Sequence, residues 1–135
     1  MKRPNITRTA AALAALIVTF AISSCRKGGI NDDLDGQWRV IAVEHLADGT
    51  VSEPYNHFYC LYLHTANLTN PGVAATANMT YDRKGRRLTL EFPYGVQNLA
   101  PWGIYDITTT FTIEHLNSHS LVIASDKAKV TMKKF

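Results

Sequence analysis

The sequence predicts a small all-β domain, an antiparallel meander or barrel of about seven to eight strands, after an N-terminal signal peptide. Apolar and polar residues alternate with a period of two in most segments after residue 36, as they do in half-buried strands. Turn-forming residues separate these segments at short intervals. No segment after residue 25 has the apolar spacing of a helix, which repeats every three to four residues. Together these observations predict a sandwich, meander or barrel built from short strands.

The first residues carry the features of an export signal. Lys2, Arg3 and Arg8 give a basic start, and Ala10–Ile22 is apolar apart from Thr19. A spanning helix needs about 20 apolar residues, so this run is too short to cross a bilayer. A basic segment followed by an apolar run of this length predicts a secretory signal that is removed from the mature protein.

The end of this signal has two interpretations. The run Ile22-Ser23-Ser24-Cys25 resembles the lipobox of bacterial lipoproteins, which has a branched aliphatic residue, two small residues and a cysteine. That resemblance implies a signal peptide of residues 1–24 and a diacylglycerol group on the Cys25 thiol. Ordinary cleavage after Ala21-Ile22-Ser23 also fits, because this run has the small-x-small pattern of secretory signals.

Residues 25–35 are predicted to form a lipidated tether to the domain at residues 36–135. Gly28-Gly29 is flexible, and polar, turn-favouring residues follow. Arg26 and Lys27 favour anionic headgroups beside the lipid. Resemblance to bacterial sorting patterns, with Arg and not Asp after Cys25, implies an outer-membrane anchor. The acidic cluster of surface-exported lipoproteins does not follow the cysteine directly, which by the same resemblance implies that the anchored domain faces the periplasm.

Charge and cysteine content limit the classes of function. The formal net charge of +3 arises from the signal, since removing Lys2, Arg3 and Arg8 leaves equal numbers of basic and acidic residues. A neutral domain gives no reason to expect a nucleic-acid partner. If Cys25 is acylated, Cys60 is left unpaired and no disulfide framework exists.

Seven segments are predicted as strands from their alternation, and turn signals separate most of them. In the first, Trp38, Val40 and Ala42 share a face; in the fifth, Tyr105 and Ile107 share a face with Phe111 and Ile113. Turns are predicted at residues 47–50, 70–72, 82–85, 117–118 and 125–127. The predicted strands are Gly36–Val43, Tyr55–His64, Val73–Tyr81, Arg87–Phe92, Ile104–His115, Leu121–Ile123 and Lys129–Phe135.

The opening of the domain, Gly36-Gln37-Trp38, resembles the Gly-x-Trp motif that begins the first strand of lipocalin-like domains. The resemblance implies that Gly36 lets the chain turn into a barrel and that Trp38 plugs its closed end. It also implies that a basic residue near the last strand packs over the tryptophan, for which Lys133 and Lys134 are the candidates. The closer resemblance is to compact lipocalin-like domains of bacterial lipoproteins.

An apolar ligand site is predicted beside Pro93–Gly103, the longest irregular segment. Two large aromatic side chains lie in it, and such rings can cover the mouth of a barrel or contact a partner. The alternative is that they close an end of the core. The predicted mouth holds Tyr94, Trp102 and Tyr105, with Phe58 and Tyr62 deeper.

The other side-chain patterns do not predict an enzyme, a cofactor site or a metal site. His57 and His64 lie seven residues apart, so an unbroken strand would place them on opposite faces. No Gly-x-Ser-x-Gly motif is present. Two functions therefore remain. One is a membrane-anchored protein that binds a small apolar ligand in its barrel; the other is an envelope interaction module with a filled core and a partner-docking loop.

Overall fold

The computed structural model describes residues 30–135, of which Asp33–Phe135 form one compact unit. Short 3₁₀ helices span Asp32–Leu34 and Ala100–Trp102, and no helix in the described part is long and apolar enough to span a bilayer. The signal peptide, Cys25 and the first part of the predicted tether lie outside the described residues. The strands are β1 (Gly36–His45), β2 (Thr50–Ser52), β3 (Phe58–Tyr62), β4 (Thr65–Thr69), β5 (Ala74–Asp82), β6 (Arg87–Glu91), β7 (Thr108–Leu116), β8 (Ser120–Ala124) and β9 (Ala128–Lys134).

The strands form a closed antiparallel barrel, which confirms the all-β prediction. From β3 to β9 each strand pairs with the next, and β9 returns to pair with β1. The first half of β1, Gly36–Arg39, pairs with β3, whereas its second half, Val43–His45, pairs with β2. β2 and β3 therefore lie on the same side of β1, one beside each half of its length. The result is an eight-stranded barrel with one short additional strand.

A β-bulge in β1 changes which residues face the core. The register between β1 and β9 shifts between Val40 and Ala42. A bulge adds one residue to a strand, so the alternation of faces reverses beyond it. Trp38, Val40 and Val43 are consequently buried, and Ala42 is only partly buried. The prediction that Ala42 shares the face of Trp38 was wrong for this reason.

Side chains fill the interior of the barrel. The interior of an eight-stranded barrel is just wide enough to be packed or to hold one small ligand. Five large side chains are each at most 1% exposed: Trp38, Tyr59, Phe92, Trp102 and Phe111. Leucine, isoleucine, valine and methionine side chains from all eight barrel strands complete this core, together with Leu34, Leu99 and Ile104. The barrel is therefore a packed core, and the space available to a ligand lies at its surface.

The two ends of the barrel are named after the tryptophans that close them. The Trp38 end holds the start of β1 and the end of β9, because Trp38 pairs with Lys134. The Trp102 end holds the other ends of these strands, where His45 pairs with Ala128. At that end Gly103 packs against Val43 and Val130.

Candidate functional site

Trp38 is held at its end of the barrel by groups from both termini of the domain. Its indole Nε1 donates a 2.8 Å hydrogen bond to the carbonyl oxygen of Leu34. The Lys134 ammonium lies 4.3 Å from the centre of the indole ring and donates to the carbonyl oxygens of Asp35 (2.7 Å) and Asp33 (3.2 Å). Lys134 is thus the basic residue that the resemblance led us to expect. Leu34 and Asp35, assigned to the tether from the sequence, are part of this end of the barrel.

Gly36 is required where the chain turns into β1. Its φ of +146° is strained for a residue with a side chain, and a Cβ there would lie 3.1 Å from Lys134 Cδ and closer still to its Nζ. Removal from water lowers the pKa of the Lys134 ammonium, and the charges of Asp33 and Asp35 oppose this effect. Among residues 30–135, these contacts leave Trp38 0% exposed and close this end of the barrel.

The segment Pro93–Gly103 closes the opposite end. Its 3₁₀ helix places Trp102 inside the barrel, where Nε1 donates to the carbonyl oxygen of Phe58 at 3.1 Å. The hydroxyl of Tyr59, which is fully buried, donates to the Trp102 carbonyl oxygen. Desolvation raises the pKa of the Tyr59 phenol, so this hydroxyl stays a proton donor. Gly103 then takes a left-handed conformation (φ 78°) in close contact with β9.

Two surface clefts flank this closed end and meet at His45. The first cleft, of about 510 Å³, is lined by His45, Ala47, Asp48, Thr50, Tyr105 and Lys127. The second cleft, of about 420 Å³, is lined by His45, Ser52, Glu53, Pro54, His57, Ala100 and Pro101. Both volumes fall in the range of about 300–1,000 Å³ that is typical of small-molecule sites. They are named the Tyr105 cleft and the His57 cleft below.

His45 joins the two clefts because it is the last residue of β1. Its Nδ1 shares a hydrogen bond with the Tyr105 hydroxyl in the first cleft, and its Nε2 lies 3.0 Å from Ser52 Oγ in the second. The rings of His45 and Tyr105 also meet edge to face, with centroids 6.0 Å apart. One imidazole therefore links hydroxyl groups in both clefts.

Charged groups border the Tyr105 cleft. The Asp48 carboxylate accepts hydrogen bonds from the backbone N–H (3.0 Å) and hydroxyl (2.7 Å) of Thr50, which lower its pKa. Desolvation and the charge of Asp48 raise the pKa of the Tyr105 phenol. Lys127 is paired with Asp106 at 2.8 Å. The cleft combines a tyrosine ring and aliphatic surface with a carboxylate and an ion pair at its border.

The His57 cleft has an apolar floor and a fixed imidazole. Asn70 Nδ2 donates to His57 Nε2 at 3.1 Å, so His57 Nδ1 donates to the Tyr55 carbonyl oxygen at 2.7 Å. The His57 ring packs on the Trp102 ring, with centroids 4.4 Å apart. Pro54 and Pro101 line the rest of the wall. Because both nitrogens of His57 are engaged, its ring offers this cleft a flat surface rather than a metal ligand.

The structure does not bring together the five residues predicted to line one cavity. Tyr105 lines the first cleft and is 39% exposed, but Trp102 is 0% exposed and belongs to the core. Tyr94, in contrast to Trp102, is 93% exposed. Phe58 and Tyr62 lie on the outward face of β3, because the alternate residues Tyr59 and Leu61 point inward. The prediction that Phe58 and Tyr62 lie deep in an apolar cavity was therefore wrong.

Sequence reasoning missed His45, Ser52 and Lys127 as residues that line the two clefts. His45 and Ser52 come together because β2 folds back on β1, with Val43 opposite Ser52. Lys127 comes from the β8–β9 turn, far away in sequence. The Asp48-Gly49 turn was the one signal available, since a turn there returns the chain along β1. Among residues 30–135, no group of three or more potential ligands could hold a metal ion.

A closed antiparallel barrel whose first strand carries a buried tryptophan beneath a lysine of the last strand defines a lipocalin-like protein. The chain belongs to the family described as lipocalin-like domain, which matches residues 19–135. A comparison with curated proteins found no match.

Two solved structures have the same fold. A lipocalin-like protein from Bacteroides uniformis ATCC 8492 is 24% identical with a TM-score of 0.59, over 76% of this chain and 99% of that one. An uncharacterized protein from Bacteroides eggerthii DSM 20697 is 17% identical with a TM-score of 0.56, over 75% of this chain and 98% of that one. At these identities the similarity establishes the fold alone.

Proposed function

We propose that this protein is a lipid-anchored envelope lipoprotein that binds a small, mainly apolar ligand in the paired clefts at its Trp102 end. The observation that carries the proposal is the meeting of two ligand-sized clefts at one imidazole, His45. Because the interior is filled, the proposed site is at the rim of the barrel and not within it. The anchor is the Cys25 diacylglycerol implied by the lipobox resemblance, in the outer membrane with the domain facing the periplasm.

The lining favours a ligand with an apolar body and one or two hydrogen-bonding groups. Pro54, Pro101 and Ala100 offer apolar contact in the His57 cleft. The hydroxyls of Ser52 and Tyr105 already bond His45, so a ligand polar group could replace one of them without leaving the imidazole unpaired. This combination of apolar walls with a few placed polar groups is typical of small-molecule sites.

Tryptophan fluorescence tests ligand binding, because Trp102 contacts the wall of the His57 cleft through the His57 ring. The Trp38→Phe variant leaves Trp102 as the single tryptophan of the chain. Titration with fatty acids, isoprenoids and tetrapyrroles should give a saturable change in its emission. His45→Ala should weaken that response, since it removes the group shared by both clefts. The matched control is His119→Ala, which removes an exposed histidine at the other end of the barrel.

Mass spectrometry of the mature N-terminus tests the anchor. The expected product begins at Cys25 and carries a diacylglycerol group, and Cys25→Ser should leave the chain unprocessed or unanchored. The family match, which begins at residue 19, includes the residues around Cys25. A mature chain with a free Ser24 amine would disprove the lipoprotein assignment.

A second candidate function is an envelope interaction module, and the exposure of Tyr94 favours it. Tyr94 is 93% exposed in the segment that closes the barrel, and exposed tyrosines are frequent anchors at protein interfaces. A filled barrel also suits a module that acts through its surface. If no apolar ligand changes Trp102 emission but Tyr94→Ala abolishes capture of a defined envelope partner, this second function is the correct one.

A further inference from the structure

The two ends of the barrel differ strongly in charge. At the Trp38 end lie the β5–β6 turn, the first residue of β6 and the end of β9, which together carry six basic residues: Arg83, Lys84, Arg86, Arg87, Lys133 and Lys134. Only Asp33, Asp35 and Asp82 oppose them there among the described residues of the compact unit. Four of these basic residues lie within a single turn and the first residue of β6, and all four are exposed.

The Trp102 end has the opposite balance. Its strand ends and loops carry six acidic residues: Glu44, Asp48, Glu53, Glu91, Asp106 and Asp126. Lys127 and Lys129 are the basic residues of this end, and each is paired with a carboxylate, Asp106 or Glu114. A domain that is close to neutral as a whole is thus polarised along the barrel axis.

Exposed apolar side chains accompany the positive charge. Tyr62 is 67% exposed, Leu63 is 37% exposed and Phe135 is 73% exposed, all at the Trp38 end. Phe135 packs edge to face on Phe58, with centroids 5.1 Å apart. Tyr55 (84%), Tyr94 (93%) and Ile107 (55%) are also exposed at the Trp102 end, where acidic residues outnumber basic ones. The combination of exposed aromatic rings with a net positive charge is therefore a property of the Trp38 end.

We propose that the Trp38 end docks on an anionic lipid surface, with Lys84, Arg87 and Lys133 at the headgroups and Tyr62 and Phe135 at the interface. Basic side chains near an anionic leaflet each strengthen binding about fivefold. Tyrosine rings favour the level of the headgroups. This orientation points the His57 and Tyr105 clefts away from the bilayer, toward the aqueous compartment.

The path of the chain is consistent with this orientation. Asp33–Gly36 enter the barrel at the Trp38 end, where Lys134 binds the carbonyl oxygens of Asp33 and Asp35. A lipid on Cys25 would hold this end within about 30 Å of the bilayer, the greatest length that the intervening residues can span. The choice of a lipid surface over an acidic protein as the docking partner therefore rests on the proposed anchor. The difference in charge between the two ends of the barrel does not depend on that anchor.

The test is lysine footprinting of the full processed chain, reconstituted through its own anchor into vesicles of phosphatidylethanolamine and phosphatidylglycerol. Lys84 and Lys133 report on the Trp38 end, and Lys127 and Lys129 on the Trp102 end. Acetylation of Lys84 and Lys133 should be slower than in phosphatidylcholine vesicles, with Lys127 and Lys129 unchanged. High salt should abolish the difference, because screening removes interactions between exposed charges and the surface.

A pair of charge reversals makes the test specific. Lys84→Glu changes the charge of the docking end by two and should lower the docked-to-undocked ratio about 30-fold, read from the protection of Lys133. Lys129→Glu makes the same change at the other end and should leave that protection intact. Both positions lie outside the two clefts.

Three results would overturn the docking site. They are equal acetylation at both ends, equal protection in phosphatidylcholine vesicles, and protection only in native envelope fragments, which would assign the surface to a macromolecular partner. The mass of the mature N-terminus reports separately on the anchor. If the mature chain lacks the lipid, it is added from solution to the same vesicles. Lysine footprinting then tests whether the Trp38 end docks without an anchor.

Discussion

At the scale of single residues, Trp38 is the large buried side chain that closes its end of the barrel. It is 0% exposed, its Nε1 is satisfied by Leu34 and its ring lies under Lys134. Trp38→Ala should lower the free energy of unfolding by about 3–5 kcal/mol, the usual cost of truncating a buried large aromatic residue. Urea unfolding followed by circular dichroism measures it. An unchanged midpoint of urea unfolding would mean that neighbouring side chains fill the space left by Trp38 without a loss of stability.

Gly36 and Lys134 are expected to act as one unit. A Cβ at residue 36 would displace the lysine from the carbonyl groups that it binds, because Lys134 Cδ and Cε lie 3.1 and 3.2 Å from that position. Gly36→Ala should therefore cost about 1–3 kcal/mol in the wild type. In a Lys134→Ala background the same substitution should cost clearly less. Additive costs in this double-mutant cycle would show that the two residues do not interact.

Asp48 gives a pH-dependent signature at the Tyr105 cleft. Hydrogen bonds from Thr50 hold its pKa below the ordinary value of 3.8. Because the folded-state pKa is lowered, its contribution to stability is present above pH 3.8 and is lost as the pH falls through the folded-state pKa. The NMR titration midpoint of the Asp48 carboxyl should lie below 3.8. Thr50→Val should raise it, whereas Thr110→Val, distant from Asp48, should not.

At the scale of elements, the segment Pro93–Gly103 is held by packing as well as by backbone conformation. Gly103 (φ +78°) and Gly95 (φ +97°) both take positive φ, but a Cβ at residue 103 would lie 2.9 Å from Val130 Cγ2, whereas one at residue 95 would contact nothing within 4 Å. Gly103→Ala should cost about 1–3 kcal/mol more than Gly95→Ala. Amide exchange of residues 99–104 should accelerate only in the first variant. Equal effects would mean that backbone strain alone holds the segment.

The strands could be predicted from the sequence wherever turn-forming residues separate them. Arg87–Phe92 and Val73–Tyr81 correspond closely to β6 and β5, because glycine or asparagine turns border them. The segment Tyr55–His64 was predicted as one strand, yet the chain turns at Leu63, whose φ is +55°. Glycine and asparagine usually fill such a position, so a leucine there hides the β3–β4 turn.

The candidate site was harder to predict, because it depends on where strands end. Tyr105 and Ile107 were expected to face the core by alternation with Phe111. β7 begins only at Thr108, so the alternation does not extend back to these residues, and Ile107 is 55% exposed. An aromatic residue in a loop can plug the barrel, as Trp102 does, or face solvent, as Tyr94 does, and local pattern cannot distinguish the two.

At the scale of the whole molecule, closure of the barrel couples the two termini of the domain. The β1–β9 pairing joins residues that are 83 to 96 positions apart, from His45 with Ala128 to Trp38 with Lys134. The Phe135 backbone N–H also donates to the Gln37 carbonyl oxygen at 2.8 Å. Such long-range contacts form late and slow folding, because the loop-closure entropy must be overcome before they stabilise the chain. The last strand should therefore decide whether the barrel holds together.

Removing the final three residues tests this dependence. Truncation after Met132 deletes Lys133, Lys134 and Phe135, and with them the Lys134 bonds to the carbonyl oxygens of Asp33 and Asp35. Hydrogen bonds to a charged donor are worth about 1.5–3 kcal/mol each, so the truncated chain should lose at least about 3 kcal/mol of its free energy of unfolding. Phe135→Ala, which removes only the ring contact with Phe58, is the matched control and should lose much less. If truncation and point variant unfold at the same urea concentration, the barrel closes without its last residues and Lys134 contributes little to its stability.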